Sequence, residues 1–195
     1  TNELSITAYD RLYNATAHTI SELDFTNAKT MKDYATVCAT YLGLPIGFIN
    51  TGDSFNLQIT PNVVGTETIR ELLNAIAEAT QTIYYIDSQW ILTFKRLDRD
   101  GKPTYTITKD DYYTLQSGAN KRLASICSTT ELGDNVSASL SVSGTTQYIR
   151  DNCIWELRDD IGTLINNALS AIGGITINQF ECDWRGNYLL EIGDK

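Results

Sequence analysis

The only histidine in this 195-residue chain is His18, and a nucleophilic serine or cysteine ordinarily needs such a base beside it. A Ser-His-Asp or Cys-His site would have to be built on His18 alone, and it lies in a polar stretch, Thr16 to Glu22, that reads as a linker. No serine is followed three residues later by a lysine, so a lysine base has no motif to rest on. The acid doublets Asp110-Asp111 and Asp159-Asp160 could in principle pair for glycoside hydrolysis, a matter of separation in space. Both stand where a helix is expected to begin, and there a carboxylate caps free amides. Asp98-Arg99-Asp100-Gly101 faintly resembles a calcium loop but lacks the further oxygen ligands and the glutamate at the required spacing. It reads as a turn.

The glycines form neither G-x-G-x-x-G nor G-x-x-x-x-G-K, so phosphate cradling and nucleotide cofactors have no support. Cys38, Cys127, Cys153 and Cys182 contain no C-x-x-C pair and have no histidine nearby, which fits buried reduced thiols better than a metal site. Catalytic residues, cofactor-binding residues and metal ligands are therefore all assigned as none, and no cofactor is expected. Aromatic side chains remain: 11 tyrosines and 3 tryptophans could serve a sugar platform or a protein interface. In Tyr84-Tyr85 and Tyr112-Tyr113, one ring of each pair is expected in the core.

The elements that would position these side chains follow from periodicity and caps. Leu4 to Ala8 reads as a short strand. Thr30 to Leu42 carries Met31, Tyr34, Ala35, Cys38 and Leu42 at helical spacing, with Thr30 and Asp33 as the N-cap signal and Gly43 and Pro45 as the stop. A second helix is expected from Thr68 to Thr80, with a Thr68-x-x-Glu71 capping box and Ile69, Leu72, Leu73 and Ile76 on one face. The two helices align at an offset of 38 residues, Thr30-Met31-Lys32-Asp33 on Thr68-Ile69-Arg70-Glu71, as a duplicated unit or as two similarly capped helices.

Thr82 to Ile86 and Trp90 to Phe94 then predict a hairpin about Asp87-Ser88-Gln89. Beyond a turn at Asp98 to Lys102, the expectations are a strand at Tyr105 to Ile107, a capped helix from Thr108 to Leu115, and strands at Leu123 to Thr129, Val136 to Val142 and Thr146 to Arg150. A third helix from Asp159 to Ile172 ends at Gly173-Gly174, and strands from Ile175 to Asp183 and Tyr188 to Ile192 enclose Arg185-Gly186-Asn187. The expected fold is α+β: a helix-and-hairpin α/β region over residues 1–105, then a partial antiparallel β-barrel carrying one helix over residues 106–195.

Composition bounds the function. The chain is 42% hydrophobic and 20% charged, globular proportions. Its 15 basic and 24 acidic residues give a net charge of -9, and no basic half exists, which disfavours nucleic-acid binding through counterion release. An acidic surface could still line a passage along which nucleic acid slides without sticking. No run of about 18 apolar residues is present, and the N-terminal decapeptide has neither a basic region nor an apolar run, so a soluble chain without an export signal is expected. Asn14-Ala15-Thr16 and Asn135-Val136-Ser137 match a glycosylation pattern that needs a secretory context and receive no role. A first residue of Thr, with Met31 the only methionine, leads us to expect a segment of a longer polypeptide.

Several phrases in order resemble a known family: Ser5-Ile-Thr-Ala-Tyr-Asp-Arg-Leu-Tyr13, the Thr68 helix leading to Tyr85-Ile-Asp87 and Trp90, Ile107-Thr-Lys-Asp-Asp-Tyr112, Tyr148-Ile-Arg-Asp-Asn152, and Trp184-Arg-Gly-Asn187 with Leu190-Glu-Ile-Gly-Asp194. Together, over nearly the whole chain, they are similar to the tail hub proteins of long-tailed bacteriophages, including prophage tail proteins that carry an endopeptidase or lysin further along. Cys153 and Tyr188 stand where the family often has proline, which are turn details. The resemblance implies a non-enzymatic structural component of the baseplate hub at the tail tip, closing the tail tube. It implies a homotrimer of barrel-like and smaller α/β domains, assembled in the bacterial host cytoplasm and carried in the virion. The implied partners are the distal tail protein, the tape-measure protein and other tail-tip proteins, with no sequence-specific nucleic acid and no membrane. The other classes considered are a tail-associated cell-wall hydrolase and a carbohydrate- or receptor-binding module. Taken alone, these 195 residues are expected to be monomeric or weakly self-associating, with Ile175 to Asp183 beside an unpaired edge.

Overall fold

Two reciprocal capping boxes organise the N-terminal half. In the computed structural model, which describes residues 10–59, 66–97, 102–103, 105–129, 135–149, 152–154, 161–184 and 186, helix α1 spans Met31–Tyr41 and helix α2 spans Ile69–Thr80. Thr30 Oγ1 accepts the Asp33 amide at 3.2 Å while the Asp33 carboxylate takes the Thr30 amide at 2.9 Å. Thr68 and Glu71 repeat the arrangement at 3.2 and 2.7 Å. Each box satisfies donors that the first helical turn leaves free. Hydrogen bonds from the Lys29 amide, then the Thr30 amide and hydroxyl, hold the Asp33 carboxyl below the usual carboxylate range, and those from the Thr68 amide and hydroxyl do the same for Glu71. Each capping threonine also bridges to another stretch of chain, Thr68 to Thr19 and Thr30 to Gln58.

Helix α1 buries Met31, Tyr34, Ala35, Cys38 and Ala39. It stops where Gly43 turns left-handed at φ +67°, a conformation that costs glycine least. Helix α2 buries Ile69, Leu72, Leu73 and Ile76 together with Ala75, Ala77, Ala79 and Thr80. It packs against α1, the 3-10 segment Arg11–Thr16 and the strand that follows it.

Each of these helices hands over to a strand, β1 (Ile46–Ile49) after α1 and β2 (Ile83–Ile86) after α2, and both flank β3 (Leu92–Lys95) in the order β1-β3-β2. The two pairings differ in sense: β1 runs parallel to β3 and β2 antiparallel, with Phe48 and Tyr84 both opposite Phe94. Phe94, Phe48, Phe55 and Tyr84 form an aromatic cluster with ring centroids 4.7 to 6.0 Å apart. The expected hairpin is present, but Trp90 belongs to its turn and not to its strand. The Asp87 carboxylate accepts the amides of Gln89 (2.9 Å) and Ile91 (3.0 Å) and the Thr93 hydroxyl (3.0 Å), and this loop throws Trp90 to φ +62°.

The C-terminal half holds β4 (Tyr112–Ser117), β5 (Lys121–Thr129), β6 (Asn135–Ser139), β7 (Thr145–Ile149), α3 (Ile161–Ile172), β8 (Thr176–Ile177) and β9 (Phe180–Trp184). The α+β class holds. Strand β5 is central, antiparallel to β6 and parallel to β7, with β8 on its first two residues. The parallel pair arises because the β6–β7 connection crosses to the far side of β5. Gly144 makes that passage possible, since a Cβ there would run into the Arg122 carbonyl oxygen. Among the described residues the strands form open sheets and no closed barrel. Helix α3 packs on β5 and β6 and touches α2. Ile126, Ile149, Ile154, Ile161, Leu164, Ile165, Ala168 and Leu169 join the side chains of α1, α2 and β3 in one buried cluster spanning both sides of residue 106.

Three local expectations change. Tyr105 to Ile107 is not a strand, and Thr108 to Leu115 is not a helix. The cap signal is real, because Asp111 Oδ2 takes the Thr108 amide at 2.8 Å and hydroxyl at 2.7 Å. It closes only a turn, as the aromatic and β-branched run from Tyr112 goes to β4. The expected strand from Ile175 to Asp183 is broken at residues 178–179 into β8 and β9, which pair with different strands, β5 and β4. Leu4 to Ala8, residues 98–101 of the expected turn, Asp159-Asp160, Arg185, Asn187 and Tyr188 to Ile192 lie outside the described residues. No described helix is long and apolar enough to cross a membrane.

Candidate functional site

His18 is half-buried and engaged. Its Nδ1 lies 2.9 Å from Glu22 Oε2 and 3.0 Å from the Tyr41 hydroxyl, which itself donates to Glu22 Oε2 at 2.6 Å. The Tyr41 hydrogen bond, the Thr19 amide and His18 together pull the Glu22 carboxyl down to about 2, while the same contact pushes the Tyr41 phenol up. An imidazole held by a carboxylate is the base-and-orienter half of a hydrolytic triad. The nearby hydroxyl of Ser21 is paired with Thr19 Oγ1 at 2.7 Å. The arrangement joins the Thr16 to Glu22 stretch to the last turn of α1, and the backbone carbonyl of His18 accepts the first amide of α2.

The other weighed residues are dispersed. Cys38 is buried inside α1, and burial pushes its thiol up to about 12. Cys127, Cys153 and Cys182 are half-buried, and none of the four cysteines is in a disulfide. Tyr85 is buried; Tyr84 sits beneath the Arg70 guanidinium (5.5 Å) and donates to Asn74 at 2.7 Å. No group of three or more His, Cys, Asp or Glu among the described residues could hold a metal ion.

Two surfaces are gathered only by the fold. The first is a cleft of about 640 Å³ between the end of α2, the start of β2 and the exit of β3 on one side, and β5, β7, β8 and the end of α3 on the other. Arg96 stands between it and a smaller neighbouring cavity of about 400 Å³. Arg96 Nη2 donates to the Thr80 carbonyl (2.8 Å) and Ser54 Oγ (3.2 Å), whereas its buried Nε–H has no acceptor. Glu78, also lining the cleft, accepts from Asn152 Nδ2 at 2.7 Å and Gln147 Nε2 at 3.4 Å, a polar tie from α2 to the C-terminal half. Nothing in the sequence marks Arg96, Lys121 and Gln147 as neighbours.

The second surface is the β4–β9 ribbon, whose strands pair only with each other among the described residues. Its register places Leu115 opposite Cys182, Ser117 opposite Phe180 and Tyr112 opposite Trp184, with a bulge at Tyr113. Cross-strand partners share a face, so one face carries Tyr112, Trp184, Leu115, Cys182 and Phe180. The other carries the Thr114–Asp183 hydrogen bond (2.6 Å) and the Gln116–Glu181 pair. The apolar face is open, with Leu115 49% and Phe180 58% exposed. Among the described residues, the Tyr105 ring reaches its Trp184 end, at 6.0 Å.

No family model and no curated protein matches the chain. Among solved structures it overlaps the tail protein from Neisseria meningitidis MC58 with a TM-score of 0.49 and 11% identity, over 79% of this chain and 49% of that one. It overlaps the 43 kDa tail protein of prophage MuSo2 from Shewanella oneidensis with a TM-score of 0.44 and 16% identity, over 83% and 48%. The chain spans about half the length of each. Neither overlap reaches a TM-score that decides the fold.

Proposed function

We propose that this chain is a structural component of a phage or prophage tail, set in the baseplate hub at the tip, and that it acts by assembly and not by catalysis. The observation that carries this reading is the β4–β9 ribbon. A two-stranded ribbon is marginal in water by itself, and this one turns an aromatic and aliphatic face outward with both outer edges open among the described residues. Such a face is stabilised by further strands from the same polypeptide or from a neighbouring copy. The ordered phrases from Ser5 to Asp194 support the hub as the setting. In it the chain forms a trimeric ring in the virion, closes the tail tube, and meets the distal tail protein, the tape-measure protein and the tip.

Assembly is also the test. A polypeptide carrying these residues with further sequence on both sides is expected to scatter light as a trimer and to join tail tubes. Leu115→Asp combined with Phe180→Asp is expected to abolish both while leaving the monomer folded. A trimer that survives the double change would remove the ribbon from the interface. A chain that stays monomeric at tail-reconstitution concentrations and never joins tubes would overturn the hub reading, as would peptidoglycan turnover that vanishes on His18→Ala.

A further inference from the structure

We infer that the cleft between α2 and β7 receives an extended peptide segment bearing a carboxylate, which lies along the edge of β7 that pairs with no strand among the described residues. Three features of the cleft point there. Lys121 and Leu123 line it from one face of β5, and Ile175 and Ile177 line it from the chain running into β8, each pair at the two-residue spacing of a strand face. Thr145, Thr146 and Gln147 line it consecutively. Side chains of one strand alternate between faces, so a consecutive run means that the cleft reaches round the edge of β7, where backbone donors and acceptors are offered. An added strand uses such an edge.

The rim is apolar and open, with Leu97 54% and Ile177 60% exposed. Alternate side chains of a bound strand would cover them. Charge supplies the third feature. In a chain of net charge -9 the cleft presents two cations, Arg96 and Lys121, and one acid, Glu78, whose carboxylate already accepts from Asn152 and Gln147. A guanidinium and an ammonium flanking an apolar trough select a carboxylate, carried on an acidic side chain or at a chain terminus.

The probe is a one-bead library of octapeptides built from Val, Ile, Thr, Ser and Asp with free C-termini, screened against the whole chain and followed by fluorescence anisotropy on retained sequences. Wild type is expected to retain Asp-containing, β-branched sequences. Lys121→Glu and Ile177→Asp, both exposed positions that should not disturb folding, are each expected to weaken binding by about tenfold, the scale of one lost charge-assisted or apolar contact. Tyr13→Ser, an exposed position that does not line the cleft, is expected to leave it unchanged. Amide exchange should slow at residues 145–147 when peptide is bound. Retention no better than that of Lys121→Glu, protection appearing on β4 or β9 instead, or binding of decanoate without binding of any peptide would each overturn the proposal.

Discussion

At the scale of single residues, the polar contacts explain why His18 is not a loose linker side chain. Glu22 lies four residues on and is visible in the sequence as a partner, but Tyr41 arrives from 23 residues away and only packing brings it. Because the folded state holds the Glu22 carboxyl at about 2 against an ordinary value of 4.5, the network's contribution is fully present above the ordinary value. It is lost as pH falls through about 2. Carboxyl-carbon NMR titration should show Glu22 ionised throughout that interval, and Tyr41→Phe, which removes the largest cause, should move its midpoint upward. An unmoved midpoint would mean that the hydroxyl does not act on this carboxylate. Cys38, whose thiol is pushed up to about 12 by burial, should resist thiol reagents at neutral pH in the folded chain, since the thiolate is the reactive form. It should react only after denaturant exposes α1, as labelling followed by mass spectrometry would read.

Among the elements, α2 is the one on which the rest is hung, touching α1, the Arg11–Thr16 segment, β2 and α3. Leu72 is fully buried within it, so Leu72→Asp leaves an unpaired charge in the core at a cost of several kcal/mol and should abolish the cooperative thermal transition. A melting temperature close to wild type would show that the inward face is misassigned. Thr68→Ala removes one capping acceptor and should cost about 1 kcal/mol. Asn152 is buried and ties the Glu78 carboxylate and the Ala75 carbonyl to the turn that follows β7. Asn152→Ala should cost about 1–3 kcal/mol because it strands polar partners, and denaturant midpoints would rank the two changes. The helices were legible because their caps and periodicity are local. Strand β4 was not, since Thr108 and Asp111 give the same signal for a single turn as for a helix, and the choice depends on β9, some seventy residues further on.

For the whole molecule, the question is where the open surfaces lie. The ribbon and the cleft are both bounded by strands with unpaired edges among the described residues, and both place apolar side chains at the surface. The ribbon's apolar face is built from alternating residues of two distant segments, and the cleft joins Arg96 to Lys121 and Thr146 across the core. Whether these 195 residues associate by themselves is read directly by light scattering at rising concentration. Weak, concentration-dependent association through the ribbon is expected, reduced by Phe180→Asp. A tight oligomer insensitive to that change would move the interface elsewhere.

Local rules in the sequence determined the two capped helices and their buried faces, the third helix with its glycine stop, the β2–β3 hairpin, the acidic surface and the mixed α+β class. Each is settled within one element by side-chain period, caps or composition. The tertiary structure alone decided that β7 runs parallel to β5, that Ile175 to Asp183 divides between two sheets, that Trp90 leaves its strand for the turn held by Asp87, and that Arg96 and Lys121 share a cleft. These outcomes depend on which backbone edges meet and which polar groups find partners across the core, and residue spacing along the chain carries no record of that.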